Sequence, residues 1–163
     1  MKNIFLYTLL IAFSISCNAQ IPKIEKIDMK DYPPFYNKLV ANLNKTIAHK
    51  KDFYGKPLSE FINELNKNEI NIKVYLPLDN YNIKINFVND YMTSVNIGKK
   101  AYVEPYINVY FRKPYNFKEA TKILNRHFAY WNPEAEEFYK DLIIDKIEFW
   151  YVNGVSDNRR ISK

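Results

Sequence analysis

Residues 101–112 read AYVEPYINVYFR. The odd positions are Ala101, Val103, Pro105, Ile107, Val109 and Phe111. The even positions are Tyr102, Glu104, Tyr106, Asn108, Tyr110 and Arg112. Successive strand residues point to opposite faces, so the stretch predicts a strand with one apolar face and one face of tyrosines interleaved with polar groups. Pro105 has no N–H to give to a ladder. The strand therefore lies at an edge or is interrupted there.

The same period of two extends outward. Ile70, Ile72, Val74 and Leu76 alternate with Asn71, Lys73 and Tyr75, and Ile83, Ile85 and Phe87 alternate with Lys84 and Asn86. The link 78–81 is short enough for a hairpin. Tyr91, Thr93, Val95 and Ile97 read as a further strand, turned at Gly98-Lys99-Lys100 into residues 101–112. A last strand covers 143–152, with Ile143, Ile147, Phe149 and Tyr151 on one side and Lys146, Glu148 and Trp150 on the other.

Helical spacing occupies the remainder. Pro33-Pro34 opens a helix over 34–49 with the stripe Phe35, Leu39, Leu43 and Ile47, and Pro57 opens a second with Leu58, Phe61, Ile62 and Leu65. Asn116 and Glu119 form a capping box before a helix carrying Phe117, Leu124, Phe128 and Trp131. Asn132-Pro133 caps a short acidic turn. The pattern predicts an α+β domain over 32–153: an antiparallel sheet of about five strands, with two to four helices packed on one face. Its expected core draws on Phe35, Leu39, Leu43, Phe61, Leu65, Val74, Ile85, Val109, Phe111, Leu124, Phe128, Ile147 and Phe149.

The first twenty residues, MKNIFLYTLLIAFSISCNAQ, have Lys2, an apolar run of about a dozen residues and a small-residue end, the layout of an export signal. Two cuts are open. Small residues at 17 and 19 place it before Gln20, leaving a signal peptide of 1–19. Ser16 before Cys17 instead resembles a bacterial lipoprotein signal, with a lipid on Cys17. Neither leaves a free thiol, and Cys17 is the only cysteine. Residues 20–31 read as a linker and 154–163 as a polar basic tail.

The chain carries a net charge of +6, one unit of it from Lys2, and the basic residues are scattered. In an exported protein this argues against a nucleic-acid partner and for acidic envelope partners. Membrane contact is expected only through a lipid on Cys17. Phosphate-loop, nucleophile-elbow, zinc-helix and CxxC motifs are absent, and two histidines cannot complete a metal site of three or four ligands. No cofactor or metal is expected. His49 fits a helix end, and the paired acids read as solvated or helix-start charges.

What remains is the face opposite the core. Register arithmetic collects Tyr75, Tyr102, Tyr106, Tyr110, Arg112 and Trp150 there with Lys73, Lys84, Asn86 and Lys146. Tyrosine, tryptophan and arginine are the types enriched at binding hot spots. The competing explanation is that tyrosine favours strands and pairs across them, or that a helix covers this face too. The sequence thus predicts an exported, non-enzymatic envelope module binding a protein or glycan through that face. The alternatives are a small hydrolase using His127 with a nearby carboxylate, or a structural envelope component.

Overall fold

A computed structural model describes residues 23–156. The leader, Cys17 and the tail beyond residue 156 lie outside the described residues. Within them are five α-helices, one 3-10 helix and one four-stranded sheet. The order is α1 (Tyr32–Ile47), the 3-10 helix Lys50–Phe53, α2 (Leu58–Lys67), β1 (Val74–Pro77), β2 (Asn82–Asn86), α3 (Tyr91–Lys99), β3 (Tyr106–Phe111), α4 (Phe117–Arg126), α5 (Pro133–Tyr139) and β4 (Ile144–Trp150). The strands lie in sequence order and every pair is antiparallel. The class is therefore α+β with an antiparallel sheet, with four strands where five were expected and five helices where two to four were. No helix of the described residues is long and apolar enough to cross a membrane.

The fifth strand is helix α3. Asp90 accepts from the Thr93 backbone N–H at 2.8 Å and from the Thr93 hydroxyl at 2.7 Å, a helix N-cap that outweighs the alternation of residues 91–97. Thr93 and Ile97, one helical turn apart, are buried, while Tyr91 and Met92 face solvent. Gly98 lies inside this helix. The turn comes later, at Ala101, whose φ of +56° is left-handed. There the Tyr102 N–H donates to Ile97 O and the Ala101 N–H to Gly98 O, both at 3.0 Å, the paired closure of a Schellman motif. The same closure ends α2 at Glu69 (φ +58°) and α4 at Phe128 (φ +52°), so three helices close in the left-handed region without glycine.

The inner face of the sheet carries the main core. Tyr75, Ile83, Ile85, Ile107, Val109, Phe111, Ile144, Ile147 and Phe149 pack beneath Leu58, Phe61, Ile62 and Leu65 of α2, Ala120 and Ile123 of α4, and Ala135 and Tyr139 of α5. A second cluster joins the start of α1 to α3: Tyr32, Tyr36, Val88, Ile97 and Val103. Its tyrosines act as bolts, Tyr32 donating to Val103 O at 2.6 Å and Tyr36 to Tyr151 O at 2.7 Å.

Four placements depart from the expected core. The buried stripe of α1 is Tyr32, Tyr36, Leu43 and Thr46, with Phe35, Leu39 and Ile47 half-buried beside it, because the helix turns its tyrosines toward the second cluster. β1 has the opposite phase. Tyr75 is 0% exposed and Leu76 is 37% exposed, with half-buried Val74 on the outer face with it. Ile70 belongs to the helix-closing turn before the strand, so its alternation with Ile72 never reaches the sheet. In β4 an irregularity opposite Tyr110/Phe111 inserts Asp145, and this turns Ile144 inward and Asp145 out. Phe128 is 73% exposed because α4 ends two residues before it, and Leu124 is half-buried, the buried face of α4 being Ala120 and Ile123. Pro105 interrupts rather than ends a sheet: β3 starts at Tyr106 and runs centrally between β2 and β4.

Candidate functional site

The outer face is set by cross-strand register. Tyr106 pairs with Asn86 on one side and Trp150 on the other; Asn108 pairs with Lys84 and Glu148; Tyr110 pairs with Asn82 and Lys146. Tyr106 and Trp150 stack at 5.6 Å between centroids with 10° between planes. From the opposite strand, the Lys84 ammonium sits 4.0 Å over the Tyr106 centroid. Lys84, Tyr106 and Trp150 therefore form one ladder across three strands, held by cation–π attraction and offset stacking. Tyr151 closes against Tyr106 edge-on at 5.8 Å.

Glu148 organises the other row. It accepts from Tyr110 Oη at 3.0 Å and Trp150 Nε1 at 3.3 Å, and pairs with Lys146. Burial alone would raise its carboxyl, but the hydrogen bonds from Lys146 and Tyr110 win and hold it below the usual carboxylate range. Burial pushes the Tyr110 phenol up, and its bond to Glu148 adds to the rise. Beneath the rings, the side-chain oxygens of Asn82, Asn86 and Asn108 are buried without a protein hydrogen-bond partner. Donation by the amide nitrogens orients two of them: Asn82 to Asp79 at 2.6 Å and Asn86 to Glu104 at 3.2 Å.

Of the residues expected on this face, Tyr106, Tyr110 and Trp150 are together. Tyr102 reaches it from the turn after α3: it stacks on Tyr32 at 5.8 Å and lines a pocket with Lys84, Asn86 and Tyr106. Tyr75 is not there. It lies on the inner face, edge-on to Trp131 at 5.4 Å and to Tyr139 at 5.8 Å, and burial pushes its phenol up to about 12. Arg112 follows β3 and leaves the face. Its backbone joins Ile143, and its guanidinium lies against Gly55, where an added Cβ would meet Nη2 at 3.1 Å. Lys73 also leaves, pairing with Glu25 at 2.7 Å. Sequence reasoning places Glu104 on the polar face of the 101–112 alternation without singling it out as a site residue, and misses Ser94 because its segment reads as a strand.

His127 does have a carboxylate. Its Nε2 lies 2.7 Å from Glu134 Oε2, and Arg126 meets the other oxygen of the same group. Asn132 caps α5 and so fixes Glu134 in its first turn. The hydrogen bonds from His127 and Arg126 hold Glu134 below the usual carboxylate range. His49, at the start of the 3-10 helix, pairs with Glu64 of α2 at 3.2 Å. Among the described residues, no group of three or more histidine, cysteine or acidic side chains is placed to hold a metal.

Compared with known proteins, the chain matches no family model, no curated protein and no solved structure.

Proposed function

We propose that this chain is an exported module of a bacterial envelope that binds a partner protein through the outer face of its sheet. Residues 1–19 direct export, with the cut before Gln20 or, as a lipoprotein, before Cys17. The observation that carries the binding reading is the Lys84–Tyr106–Trp150 ladder, half-buried on the face opposite the helices α2, α4 and α5. Rigid aromatic anchors flanked by charges are what protein hot spots use. A glycan is less well served: sugar stacking needs an open ring face, and Tyr106 has Lys84 on one side and Trp150 on the other. Lys84 and Lys146 favour an acidic partner.

Two measurements test this. The intact mass of exported protein gives the leader's fate: a chain starting at Gln20 removes the lipid anchor, a lipid on Cys17 establishes it, and a retained Met1 overturns export processing altogether. Recovery of bound protein from an envelope fraction is expected with the wild type and lost with Trp150→Ala, at unchanged circular dichroism. Equal recovery by both would overturn the site, and release by glycosidase would make the ligand a glycan. One observation favours a second reading. The His127–Glu134 contact has the geometry of a base with its orienting acid. Ester or amide hydrolysis abolished by His127→Ala would replace the binding reading with an enzymatic one.

A further inference from the structure

The outer face ends in a groove beside α3. One half, about 310 Å³, is lined by Lys84, Asn86, Tyr102, Glu104 and Tyr106. The adjoining half, about 400 Å³, is lined by Val74, Leu76, Val88 and Tyr91, with Asn89 and Asp90 at its α3 side, where the Asp90 carboxylate is taken up by the Thr93 N–H and hydroxyl. The two share Asn86, Ser94 and Glu104. This is polar ground against apolar ground, with Glu104 at the junction.

The charges in the groove are the unusual part. Lys84 is half-buried in the middle of β2, and the Tyr106 ring is its one close partner among the described residues. Burial lowers the tendency of its amine to hold a proton, and the field of Glu104 opposes that shift. Glu104 has no ion pair among the described residues either; it accepts from Asn86 Nδ2 at 3.2 Å. Opposite charges therefore feel one another across the pocket without meeting. The backbone explains why. Glu104 stands on the short segment between the α3 closing turn and Pro105. That segment is pinned at Val103, whose N–H donates to Val155 O at 2.8 Å and whose carbonyl accepts from Tyr32. The Asn86 amide holds the carboxylate on its own side.

A partly desolvated cation and anion, fixed apart, suit a guest that brings both complements and no net charge. We propose that this groove binds a free α-amino acid with an apolar side chain. Its carboxylate meets Lys84, its ammonium meets Glu104, and its side chain fills the half formed by Val74, Leu76, Val88 and Tyr91. The proposal goes beyond the partner-binding reading above and rests on it only in taking the outer face as the one that carries ligands. A peptide interior offers neither charge, and a peptide terminus offers one.

Calorimetric titration of the purified protein with leucine, N-acetylleucine and leucinamide tests this directly. Leucine is expected to bind at millimolar concentration or below. Each derivative lacks one charge and leaves a groove charge unpaired, so each is expected to bind at least about tenfold more weakly. Lys84→Met and Glu104→Gln are each expected to weaken leucine by about the same factor. Glu104→Gln, outside the Lys84–Tyr106–Trp150 ladder, is expected to keep recovering the partner protein while losing leucine, and this separates the two readings. No binding of leucine, phenylalanine or methionine overturns the proposal. So does equal binding of N-acetylleucine, the mark of a peptide carboxyl end, or unchanged affinity in folded Glu104→Gln protein.

Discussion

The two faces of the sheet come from the same four strands and hold their aromatic rings in opposite ways. On the inner face rings interlock in several directions: Tyr75 meets Trp131 at 90° and Tyr115 meets Tyr139 at 83°, while Phe111 stacks on Tyr139 at 14°. Each of these rings meets neighbours from several elements. On the outer face Tyr106 and Trp150 lie parallel at 10°, in a row set by strand register and closed by Tyr151, with Lys84 on the far side. Packing in several directions fills a volume, whereas a single row covers a surface. The first should control whether the chain folds and the second what the folded chain meets.

The largest effect expected to sharpen that contrast is at the β1 phase. Tyr75→Ala should cost about 3–5 kcal/mol, as for a large enclosed aromatic, while Leu76→Ser should stay within about 0.5 kcal/mol. Urea unfolding of the two variants measures it, and a reversed order would put β1 back on the expected phase. Trp150→Ala comes next. Losing one stacked row should cost about 1 kcal/mol of stability; a loss above roughly 3 kcal/mol would make the outer face a second core.

The smallest effect is electrostatic. The Glu148 carboxyl is held low, so its contribution is fully present above its unfolded value of about 4.3 and is lost as pH falls through the lower folded value. Glu148→Gln should therefore flatten the acid limb of stability below about pH 4 and leave its slope near neutrality unchanged. An acid limb identical to the wild type would mean that Lys146 and Tyr110 hold the carboxylate only loosely.

The inner face was readable where alternation and burial coincide. Ile83, Ile85, Ile107, Val109, Phe111 and Phe149 point inward as the period of two requires, and Leu58, Phe61, Ile62 and Leu65 are the buried face of α2 as their spacing requires. It was unreadable where a hydrophobic pattern ran across an element boundary. Ile70 and Ile72 precede β1 and carried the wrong phase into it, against the larger apolar area of Tyr75. Residues 91–97 alternate, yet Asp90 three residues before Thr93 is a capping signal, and the cap decided the element. Half of the candidate site followed from register in β3 and β4. The rest depended on tertiary placement: Tyr102 comes from a helix-closing turn, and the loss of Arg112 from the face follows from the β4 bulge and the approach of Gly55. Glycine, the usual marker of such turns, misled at Gly98, because the left-handed position that closes α3 is Ala101.

Those three helix ends bear on how the protein behaves in a tube. A side chain in the left-handed region carries strain of roughly 1–2 kcal/mol that glycine does not. At Phe128 the same residue also presents an exposed phenyl ring to any neighbouring molecule. One codon change there, Phe128→Gly, would act on heat tolerance and on self-association together. Ala101→Gly would act on heat tolerance alone, since almost no side chain is removed. Anyone concentrating this protein for crystal growth or a long titration has these two positions as first choices.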